Sequence, residues 1–452
     1  MYNSSSRKIN LCYGGRGVKV LLVIHGYPRR YNAGSEIYTQ TLAHALADSG
    51  CEVSIFSREE DPFSPDYQLR TEKDSMREDI PVYLVNHARS NSRFQNDEID
   101  AVFRTVVNTV NPDIVHYGHL NHLSMGLPKV SHSQGIPTVF TLHDFWMMCP
   151  RGQFLQWGLT ANPPWALCDG QDDGKCATQC FNRYVEGLDV VNEIKYWGEW
   201  VNKRMRASRE ACDAIDLFLA PSRKLIHRHV TEFGLSPSKV KYLDYGFDLE
   251  RLRNRNRKTG EPFVFGFIGR HHPSKGIHDL IDAFCNLEGD SVLRIWGRPE
   301  GQLTSSLKRR VEKHPGISDR IEWFPEYKNE EIVSNVFNLC DCIVVPSIWD
   351  ENSPLVIHES QQCSIPVITA NHGGMGEYVV NGINGLTFEH RNGESLRKTM
   401  QHALDNPSSL TELGLRGYLY SDSGGVLSKE VHALAVINHY QTLMDTRKEV
   451  KG

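Results

Sequence analysis

Short runs of apolar residues alternate along most of the chain with segments whose apolar residues recur at helical spacing. The first half contains such runs at 18–25, 52–56, 82–85, Ile114–Tyr117, 138–142 and Leu217–Ala220. The second half contains them at Phe263–Ile268, 293–296, Ile321–Phe324 and Cys342–Val345. Helices are predicted between them, for example over Asp97–Val110, 276–284 and 329–337. Because buried parallel strands are continuous apolar runs, the alternation predicts α/β structure with parallel sheets and crossover helices.

The alternation stops and restarts, which divides the chain of 452 residues into parts. A chain of this length exceeds one ordinary hydrophobic core, so two domains are expected. The polar segment 249–262 is the best linker candidate, and segment 149–212, which does not follow the repeat, is predicted to be an insertion. The predicted parts are an arm at 1–17, a first domain at 18–255, a second domain at 256–425, and a last helix at 426–452 that returns to the first domain.

The segment 345–367 is predicted to form a strand end, a turn, a helix, and the start of another strand. Pro346 stops the strand, cap-type residues occupy 350–353, and the helix runs from Leu355. The free backbone N–H groups of such a helix start attract an anion. Glu351 and Glu359, 359 − 351 = 8 positions apart, frame these amides. This pattern predicts a nucleotide-sugar site, with the phosphates on the amides and the hydroxyl groups on the carboxylates.

A glycine-bounded basic loop at 269–276 follows the strand Phe263–Ile268. Its spacing matches neither the P-loop nor the dinucleotide glycine fingerprint. Arg270 and Lys275 are both expected at the carboxyl end of a strand, where two cations could clamp a diphosphate. The alternative interpretation is a solvated surface turn, which the acidic pair in the same domain disfavours.

Four motifs together resemble the retaining GT-B glycosyltransferases of family 4, and the likeness extends from the first strand to about residue 420. They are Gly-Arg-x4-Lys-Gly, Pro-Ser-x2-Asp-Glu-Asn-Ser-Pro-Leu-Val-x2-Glu, Gly-Gly-x2-Glu and Asn-Gly-x-Asn-Gly-Leu, at 269–276, 346–359, 373–377 and 381–386. The resemblance implies two facing, Rossmann-like, doubly wound parallel-sheet domains with a cleft between them. It also implies transfer of a hexose with retention of anomeric configuration.

The resemblance gives roles to matching residues of the second domain. Glu351 is expected to contact hydroxyl groups of the donor sugar, and Glu359 to accept hydrogen bonds from the ribose. Arg270 and Lys275 are expected to neutralise the diphosphate. The backbone amides expected to bind the diphosphate are those near Ser353, Leu355 and Val356.

Two positions of the first domain also receive roles from the resemblance. The loop that contains Gly34 is similar to the glycine loop that faces donor and acceptor, although the chain has Ala33-Gly34 where the family usually has two glycines. His143, at the end of a strand, is expected to contact the transferred sugar across the cleft. A lone histidine at a strand end is also commonly structural, and the sequence leaves both interpretations open.

The predicted reaction moves a hexose from a UDP- or GDP-linked sugar to a glycan or a lipid-linked saccharide, in the synthesis of cell-surface polysaccharides or glycoconjugates. Cations and helix amides would stabilise the departing diphosphate, so no metal ion and no other cofactor is required. No protein nucleophile is assigned. Two alternatives stay open, a nucleotide-sugar epimerase of the same fold and an inactive sugar-nucleotide-binding protein. An NAD-dependent oxidoreductase is disfavoured because the glycine fingerprint is missing.

The charge and the hydropathy of the sequence limit the cellular location and the binding partners that we expect. A formal net charge of −5 argues against a nucleic-acid partner. The sequence has no apolar run of about 18 residues and no signal-peptide core at its start, so a cytoplasmic protein is expected. The run 196–206 interleaves aromatic and basic residues, which predicts either a helix on the inner face of an anionic membrane or a core helix with one solvated face.

Cysteine usage raises one metal hypothesis. The chain has 11 cysteines, and five in apolar surroundings are expected to be core thiols, namely Cys51, Cys285, Cys340, Cys342 and Cys363. Four others fall in the irregular insertion, namely Cys149, Cys168, Cys176 and Cys180. Four thiolates in one loop could hold a structural zinc ion. Since the spacing lacks Cys-x-x-Cys, free or transiently oxidised thiols are the favoured alternative.

Overall fold

The computed structural model describes residues 17–88, 94–156, 165–181, 190–260, 262–314 and 316–451. The predicted arm lies outside them except for Gly17. The apolar runs form two separate sheets, each flanked by helices. The predicted fold class, two facing Rossmann-like α/β domains, is therefore confirmed.

The first sheet has eight strands in the order β10-β9-β6-β5-β1-β2-β4-β3. These are β1 (Lys19–Val23), β2 (Glu52–Glu59), β3 (Leu69–Lys73), β4 (Pro81–Asn86), β5 (Ile114–Tyr117), β6 (Thr138–Thr141), β9 (Leu217–Ala220) and β10 (Val240–Tyr242). All neighbours pair in parallel except β3 and β4, which are antiparallel. Its helices are α1 (Gly34–Asp48), α2 (Asp97–Val110), α3 (Leu127–Ser133) and α6 (Arg223–Thr231). The sequence order reverses between β1 and β5, so a crevice opens at their carboxyl ends.

The second sheet has six parallel strands in the order β13-β12-β11-β14-β15-β16, the doubly wound order of dinucleotide-binding folds. They are β11 (Phe263–Ile268), β12 (Ser291–Trp296), β13 (Ile321–Phe324), β14 (Cys342–Val345), β15 (Val367–Ala370) and β16 (Gly385–Phe388). The helices are α7 (Ile277–Cys285), α8 (Gly301–Glu312), α9 (Ile332–Asn335), α10 (Leu355–Gln362), α11 (Gly373–Tyr378), α12 (Gly393–Asp405) and α13 (Pro407–Leu415). The order reverses between β11 and β14, which places a second crevice there.

The insertion adds a two-stranded ribbon and two helices to the first domain. The ribbon pairs β7 (Leu155–Gln156) with β8 (Ala166–Leu167), and the helices are α4 (Asp173–Cys176) and α5 (Val190–Asp213). Helix α5 includes the run of aromatic and basic residues. Trp197 stacks on Phe181 at 5.0 Å between ring centroids, and Val201 and Met205 are buried. This side of the run therefore packs inside the insertion, as the core-helix alternative requires.

The last helix, α14 (Lys429–Lys451), lies on the first domain although it ends the chain. Its His432 Nε2 is 2.9 Å from the hydroxyl of Tyr38, and its Tyr440 hydroxyl is 2.6 Å from Nδ1 of His116. The two domains are thus joined by the linker and by this returning helix. None of the described helices combines the length and the apolar composition needed to cross a bilayer.

One local prediction was wrong in part. The predicted helix at 329–337 is helical but divided, with the 3-10 turn Asn329–Glu331 before α9 and the 3-10 turn Phe337–Leu339 after it. Strands β3, β10 and β16 were not predicted. The sequence of β3, Leu-Arg-Thr-Glu-Lys, is polar and mostly exposed at a sheet edge.

Candidate active site

Lys275 and Glu351 meet at the point where the strand order of the second sheet reverses. Lys275 follows β11 and Glu351 follows β14, so each side chain leaves the carboxyl end of one of the two adjacent strands. Gly276 has φ of 66° and a Cβ there would overlap the carbonyl oxygen of Pro346, so only glycine lets the two loops approach this closely. Nζ of Lys275 lies 2.6 Å from Oε1 of Glu351, which also accepts a 2.7 Å hydrogen bond from Ser347 Oγ.

The loop that carries Glu351 is fixed by the Gly-Gly motif at the start of α11. The backbone N–H of Gly374 donates to the carbonyl oxygen of Glu351 at 2.7 Å. A Cβ on Gly374 would overlap the carbonyl oxygen of Asn352, and one on Gly373 would overlap the carboxylate of Asp350. The two glycines therefore allow a tight packing that sets the position of the Glu351 side chain.

The start of α10 offers backbone amides beside this pair. Pro354 is the N-cap residue and contributes no N–H group. The Ser353 N–H already donates to the side-chain oxygen of its neighbour Asn352, so it is engaged in this state. The N–H groups of Leu355 and Val356 open the helix, where intrahelical acceptors are missing. Of the three predicted amides, these two therefore have the better position to bind an anion.

The other two residues of this domain that are predicted to bind the sugar nucleotide already have protein partners. Glu359, buried on α10, forms an ion pair with the guanidinium of Arg251, which sequence patterns did not indicate. Arg270 is half exposed and pairs with Glu300 at 3.1 Å rather than with Glu351. The predicted contact of Arg270 with a diphosphate would therefore require an exchange of partners.

The first domain presents a second helix start to the same space. Helix α1 begins at Gly34, and its N-cap residue Ala33 makes no side-chain capping hydrogen bond. A Cβ on Gly34 would lie 3.5 Å from Cδ1 of Leu355, the first residue of α10. Two helix N-termini therefore face each other across the cleft, and their partial positive charges add at one place.

His143 lies just after β6 and contacts both domains. Its Nδ1 is 2.7 Å from the hydroxyl of Tyr245, and its carbonyl oxygen accepts from Nδ2 of Asn352 in the second domain. Its Nε2 is buried and has no hydrogen-bond partner among the described residues. Burial, with a contribution from His119, lowers the pKa of His143 to about 3, so the ring is neutral. This ring nitrogen is enclosed, so a ligand would contact it only after neighbouring groups moved.

Buried polar contacts hold the domains together beside the site. Arg228 of α6 forms a 3.0 Å ion pair with Asp350, and both side chains are buried. Glu377, the last residue of the Gly-Gly-x2-Glu motif, accepts hydrogen bonds from the backbone N–H groups of Arg223 and Lys224 at 2.9 and 3.2 Å. Glu377 thus caps α6 of the other domain, a role that the motif alone did not suggest.

Two family models match the chain one after the other. "Glycosyltransferase Family 4" matches residues 32–251, and "Glycosyl transferases group 1" matches residues 248–419. The chain belongs to glycosyltransferase family 4. The boundary between the two models falls in the polar segment that joins the two sheets.

Individual relatives of this family 4 chain are distant. A D-inositol 3-phosphate glycosyltransferase of Rhodococcus jostii is 30% identical over 199 residues, which are 41% of this chain and 44% of the relative. An uncharacterized glycosyltransferase of Methanocaldococcus jannaschii is 32% identical over 184 residues, which are 40% and 49% of the two chains. The chain spans about half the length of the curated relatives it matches.

Solved structures share the fold of this family 4 chain over nearly its whole length. Sucrose-phosphate synthase from Thermosynechococcus elongatus superposes with a TM-score of 0.67 at 16% identity, over 95% of this chain and 100% of the other. HepE of Anabaena, solved in complex with UDP-glucose, gives a TM-score of 0.60 at 15% identity, over 96% and 98%. The predicted GT-B architecture is thereby confirmed.

Proposed function

We propose that this family 4 protein transfers a hexose from a nucleotide-diphosphate sugar to a glycan or lipid-linked saccharide, with retention of anomeric configuration. One observation supports this most directly. The contact between Lys275 and Glu351 lies at the strand-order reversal of the second sheet, beside the opposed starts of α1 and α10. A cation and two helix N-termini suit a diphosphate, and the adjacent carboxylate suits sugar hydroxyl groups.

In the proposed reaction the bond between the anomeric carbon and the diphosphate oxygen breaks. Lys275, Arg270 and the amides of Leu355 and Val356 stabilise the negative charge that develops on the leaving group. The acceptor oxygen bonds to the anomeric carbon from the same face. Its proton passes to the departing phosphate oxygen, so neither a protein nucleophile nor a metal ion takes part.

The other site residues position the donor in this proposal. Glu351 binds hydroxyl groups of the transferred sugar, and His143 contacts the same sugar from the opposite domain through its Nε2 once neighbouring groups have moved. Glu359 accepts the ribose hydroxyl groups while Arg251 orients its carboxylate. Gly34 keeps the cleft open for the diphosphate, because any side chain there would project toward Leu355.

For the donor we propose a UDP- or GDP-linked hexose. Support comes from HepE, whose structures hold UDP and UDP-glucose in the same fold. The Rhodococcus jostii relative is a D-inositol 3-phosphate glycosyltransferase. We assign the protein to the synthesis of cell-surface polysaccharide or glycoconjugate, in the cytoplasm or on the inner face of the membrane.

A ligand screen followed by product analysis tests the proposal. Nucleoside diphosphates and their sugars are added to the purified chain, and the melting temperature is recorded. A donor at a free concentration of 100 times its Kd stabilises the folded protein by about 2.7 kcal/mol. Binding therefore gives a clear rise in the melting temperature. The preferred donor is then incubated with candidate saccharide acceptors, and NMR gives the anomeric configuration of the product.

The product separates the proposal from its alternatives. A new α-linked glycoside from an α-linked donor supports retaining transfer, whereas an inverted linkage overturns it. A new sugar nucleotide formed without acceptor identifies an epimerase. Binding with neither transfer nor donor hydrolysis across the acceptor panel identifies a sugar-nucleotide-binding protein.

A further inference from the structure

The four cysteines of the insertion, scattered in sequence, line one small cavity. Cys149 precedes the ribbon strand β7, and Cys168 directly follows β8, where its backbone N–H donates to the carbonyl oxygen of Phe154. Cys176 and Cys180 lie four residues apart on the continuous helical segment 173–181, so they share one face. The cavity that all four line has a volume of about 10 Å³, the space of roughly one water-sized sphere.

The surroundings of this cavity are those of a closed structural site. Cys149, Cys176 and Cys180 are buried, and Cys168 is half buried. The apolar part of the remaining lining comes from Pro150, Phe154, Leu155 and Phe181. Gln171 and Arg151 also line it, and the Arg151 guanidinium stacks on Phe181 and donates to the Cys180 carbonyl oxygen. The four sulfur atoms are therefore the ligands best suited to a metal ion here, as in the tetrathiolate sites that zinc occupies.

A buried positive charge supplies an independent observation. Arg204 of α5 is 1% exposed, and its described hydrogen bonds go to the carbonyl oxygen of Trp146 and to the sulfur of Met205. Neither acceptor is charged. The carboxylate whose field reaches Arg204 is that of Asp144, which itself pairs with His119 at 3.4 Å. The ring of Trp146, 4.7 Å from the guanidinium carbon of Arg204, compensates part of the cost of burying this charge. A buried guanidinium without a close anion remains costly, so a negative group nearby would stabilise it.

A thiolate at Cys149 or Cys176 would favour the charged form of Arg204. We propose that Cys149, Cys168, Cys176 and Cys180 bind one zinc ion as thiolates, with Arg204 as the buried counter-charge. The four thiols release four protons, and Zn²⁺ with four thiolates carries a net charge of −2 that the guanidinium partly offsets. This assigns a function both to the clustered cysteines and to the buried arginine.

Binding requires a change of side-chain rotamers. Among the described residues, no three His, Cys, Asp or Glu side chains already stand in the arrangement of a metal site. The Sγ atoms of Cys168 and Cys180 instead point to backbone carbonyl oxygens, those of Gly170 at 3.0 Å and Leu155 at 3.9 Å. Rotation about the Cα–Cβ bond moves each sulfur to another staggered position without moving the backbone.

The zinc site would anchor a contact between the insertion and the second domain. Trp165, next to β8, packs edge-on against His272 with ring centroids 5.0 Å apart. Its carbonyl oxygen accepts a 2.7 Å hydrogen bond from Arg391. His272 belongs to the loop that carries Lys275, so metal bound at Cys168 would fix the ribbon that touches this loop.

The metal content of the full chain tests the proposal without any activity measurement. The protein is purified under reducing conditions, without chelators or immobilised metal, and zinc is measured by plasma mass spectrometry. We expect about one zinc ion per chain. The variants Cys168→Ser and Cys176→Ser should lose it, while the matched control Cys285→Ala, a buried thiol of α7 in the other domain, should keep it.

A second measurement on the unsubstituted chain covers the case in which the serine variants do not fold. Replacement of zinc by Co²⁺ should give the intense thiolate-to-cobalt charge-transfer absorption of a tetrahedral sulfur site. Sub-stoichiometric zinc with no such absorption overturns the proposal. The mass of the denatured protein gives a further check. A mass two hydrogen atoms below that expected for free thiols, caused by a disulfide within the quartet, overturns the proposal as well.

Discussion

Gly34 and Leu355, the first residues of α1 and α10, face each other across the cleft, and a Cβ on Gly34 would lie 3.5 Å from Leu355 Cδ1. That separation is an ordinary van der Waals contact, so one methyl group fits and a larger side chain does not. The tolerance of position 34 for side-chain size is therefore a direct test of whether a diphosphate occupies the space between these helix starts.

We expect Gly34→Ala to keep most activity and Gly34→Leu to lower kcat/KM by about 10², the usual size for loss of one oxyanion-type contact. The melting temperature of Gly34→Ala should change little, whereas the leucine side chain meets Leu355 and should lower it by overpacking. Steady-state kinetics with the identified donor provide the measurement. Equal activity of the alanine and leucine variants would contradict the placement of the diphosphate.

Lys275→Ala should lower turnover by about 10² or more, because it removes the cation nearest to the predicted leaving group. Lys313→Ala, at an exposed position just after α8 in the same domain, is the matched control and should behave like the unsubstituted protein. Turnover and melting temperature are compared for both. Near-normal turnover of Lys275→Ala in a folded protein would remove the main support for the proposed function.

Glu351→Gln should separate binding from catalysis. The carboxylate now holds Nζ of Lys275 at 2.6 Å, so an arriving diphosphate has to compete for the lysine. Removal of this charge should tighten binding of the free nucleoside diphosphate about two- to fivefold, the value of a partly exposed ion pair. Turnover should fall about 10- to 100-fold, because charged hydrogen bonds to sugar hydroxyl groups are lost.

Calorimetric titration with the nucleoside diphosphate and steady-state assays distinguish these two effects. Glu359→Gln serves as the comparison, since its carboxylate pairs with Arg251 and not with Lys275. That variant should weaken binding of the nucleoside diphosphate, because it removes the proposed acceptor for the ribose. Weaker binding in Glu351→Gln would show that Glu351 does not compete for Lys275.

Gly374→Ala should destabilise the protein and weaken donor binding, because the new methyl group would overlap the carbonyl oxygen of Asn352 and push the Glu351 loop away. Overpacking of this kind typically costs about 1–3 kcal/mol. Gly393→Ala is the control, since a Cβ on this first residue of α12 meets open space. Chemical denaturation should show a lower free energy of unfolding for Gly374→Ala. It should show an unchanged or slightly higher value for Gly393→Ala.

Acidification below neutral pH should destabilise the fold. Burial lowers the pKa of His116 to about 3 and the pKa values of His229 and His432 to about 4. Between about pH 6.5 and these values the unfolded chain binds protons that the folded chain excludes, so stability falls as the pH falls. Each such histidine lowers the free energy of unfolding by up to about 1.4 kcal/mol for each pH unit of acidification.

His358 acts in the opposite direction. Burial opposes its protonation, but the neighbouring Asp244 raises the pKa of His358 overall, so its contribution favours the fold below pH 6.5. His143, whose pKa burial lowers to about 3, adds to the other three, so one histidine does not balance four and the net loss of stability should remain. Melting temperatures at pH 7.5, 6.5 and 5.5, at constant ionic strength, provide the check, and a melting temperature that rises toward pH 5.5 would contradict this account.

The sequence predicted the buried strands well because each is a continuous apolar run bounded by polar residues. Strands β11 and β14, and helix α2, begin and end in the structure at the predicted residues. The edge strand β3 was missed because it pairs through its backbone while its side chains are polar and exposed. Periodicity thus identifies long apolar runs and misses a polar edge strand such as β3 and a short strand such as β16, whose sequence is Gly-Leu-Thr-Phe.

Motif spacing likewise indicated which side chains are chemically suited to a donor site, but not how they pair. The structure brings Lys275 and Glu351 into contact, whereas Arg270 turns to Glu300. Arg251 and Glu359 lie 108 positions apart in sequence, and no local pattern relates them. Such contacts depend on how two sheets are oriented, which a one-dimensional pattern does not contain.

The return of α14 to the first domain has a consequence for protein engineering. Tyr440 and His432 supply hydrogen-bond partners to His116 and Tyr38, so the first domain is built from two separate stretches of the chain. A chimera made with a single crossover in the linker would combine helix α14 of one parent with the first sheet of the other. Exchange of the second domain therefore calls for two crossovers, with α14 kept from the parent that supplies the first sheet.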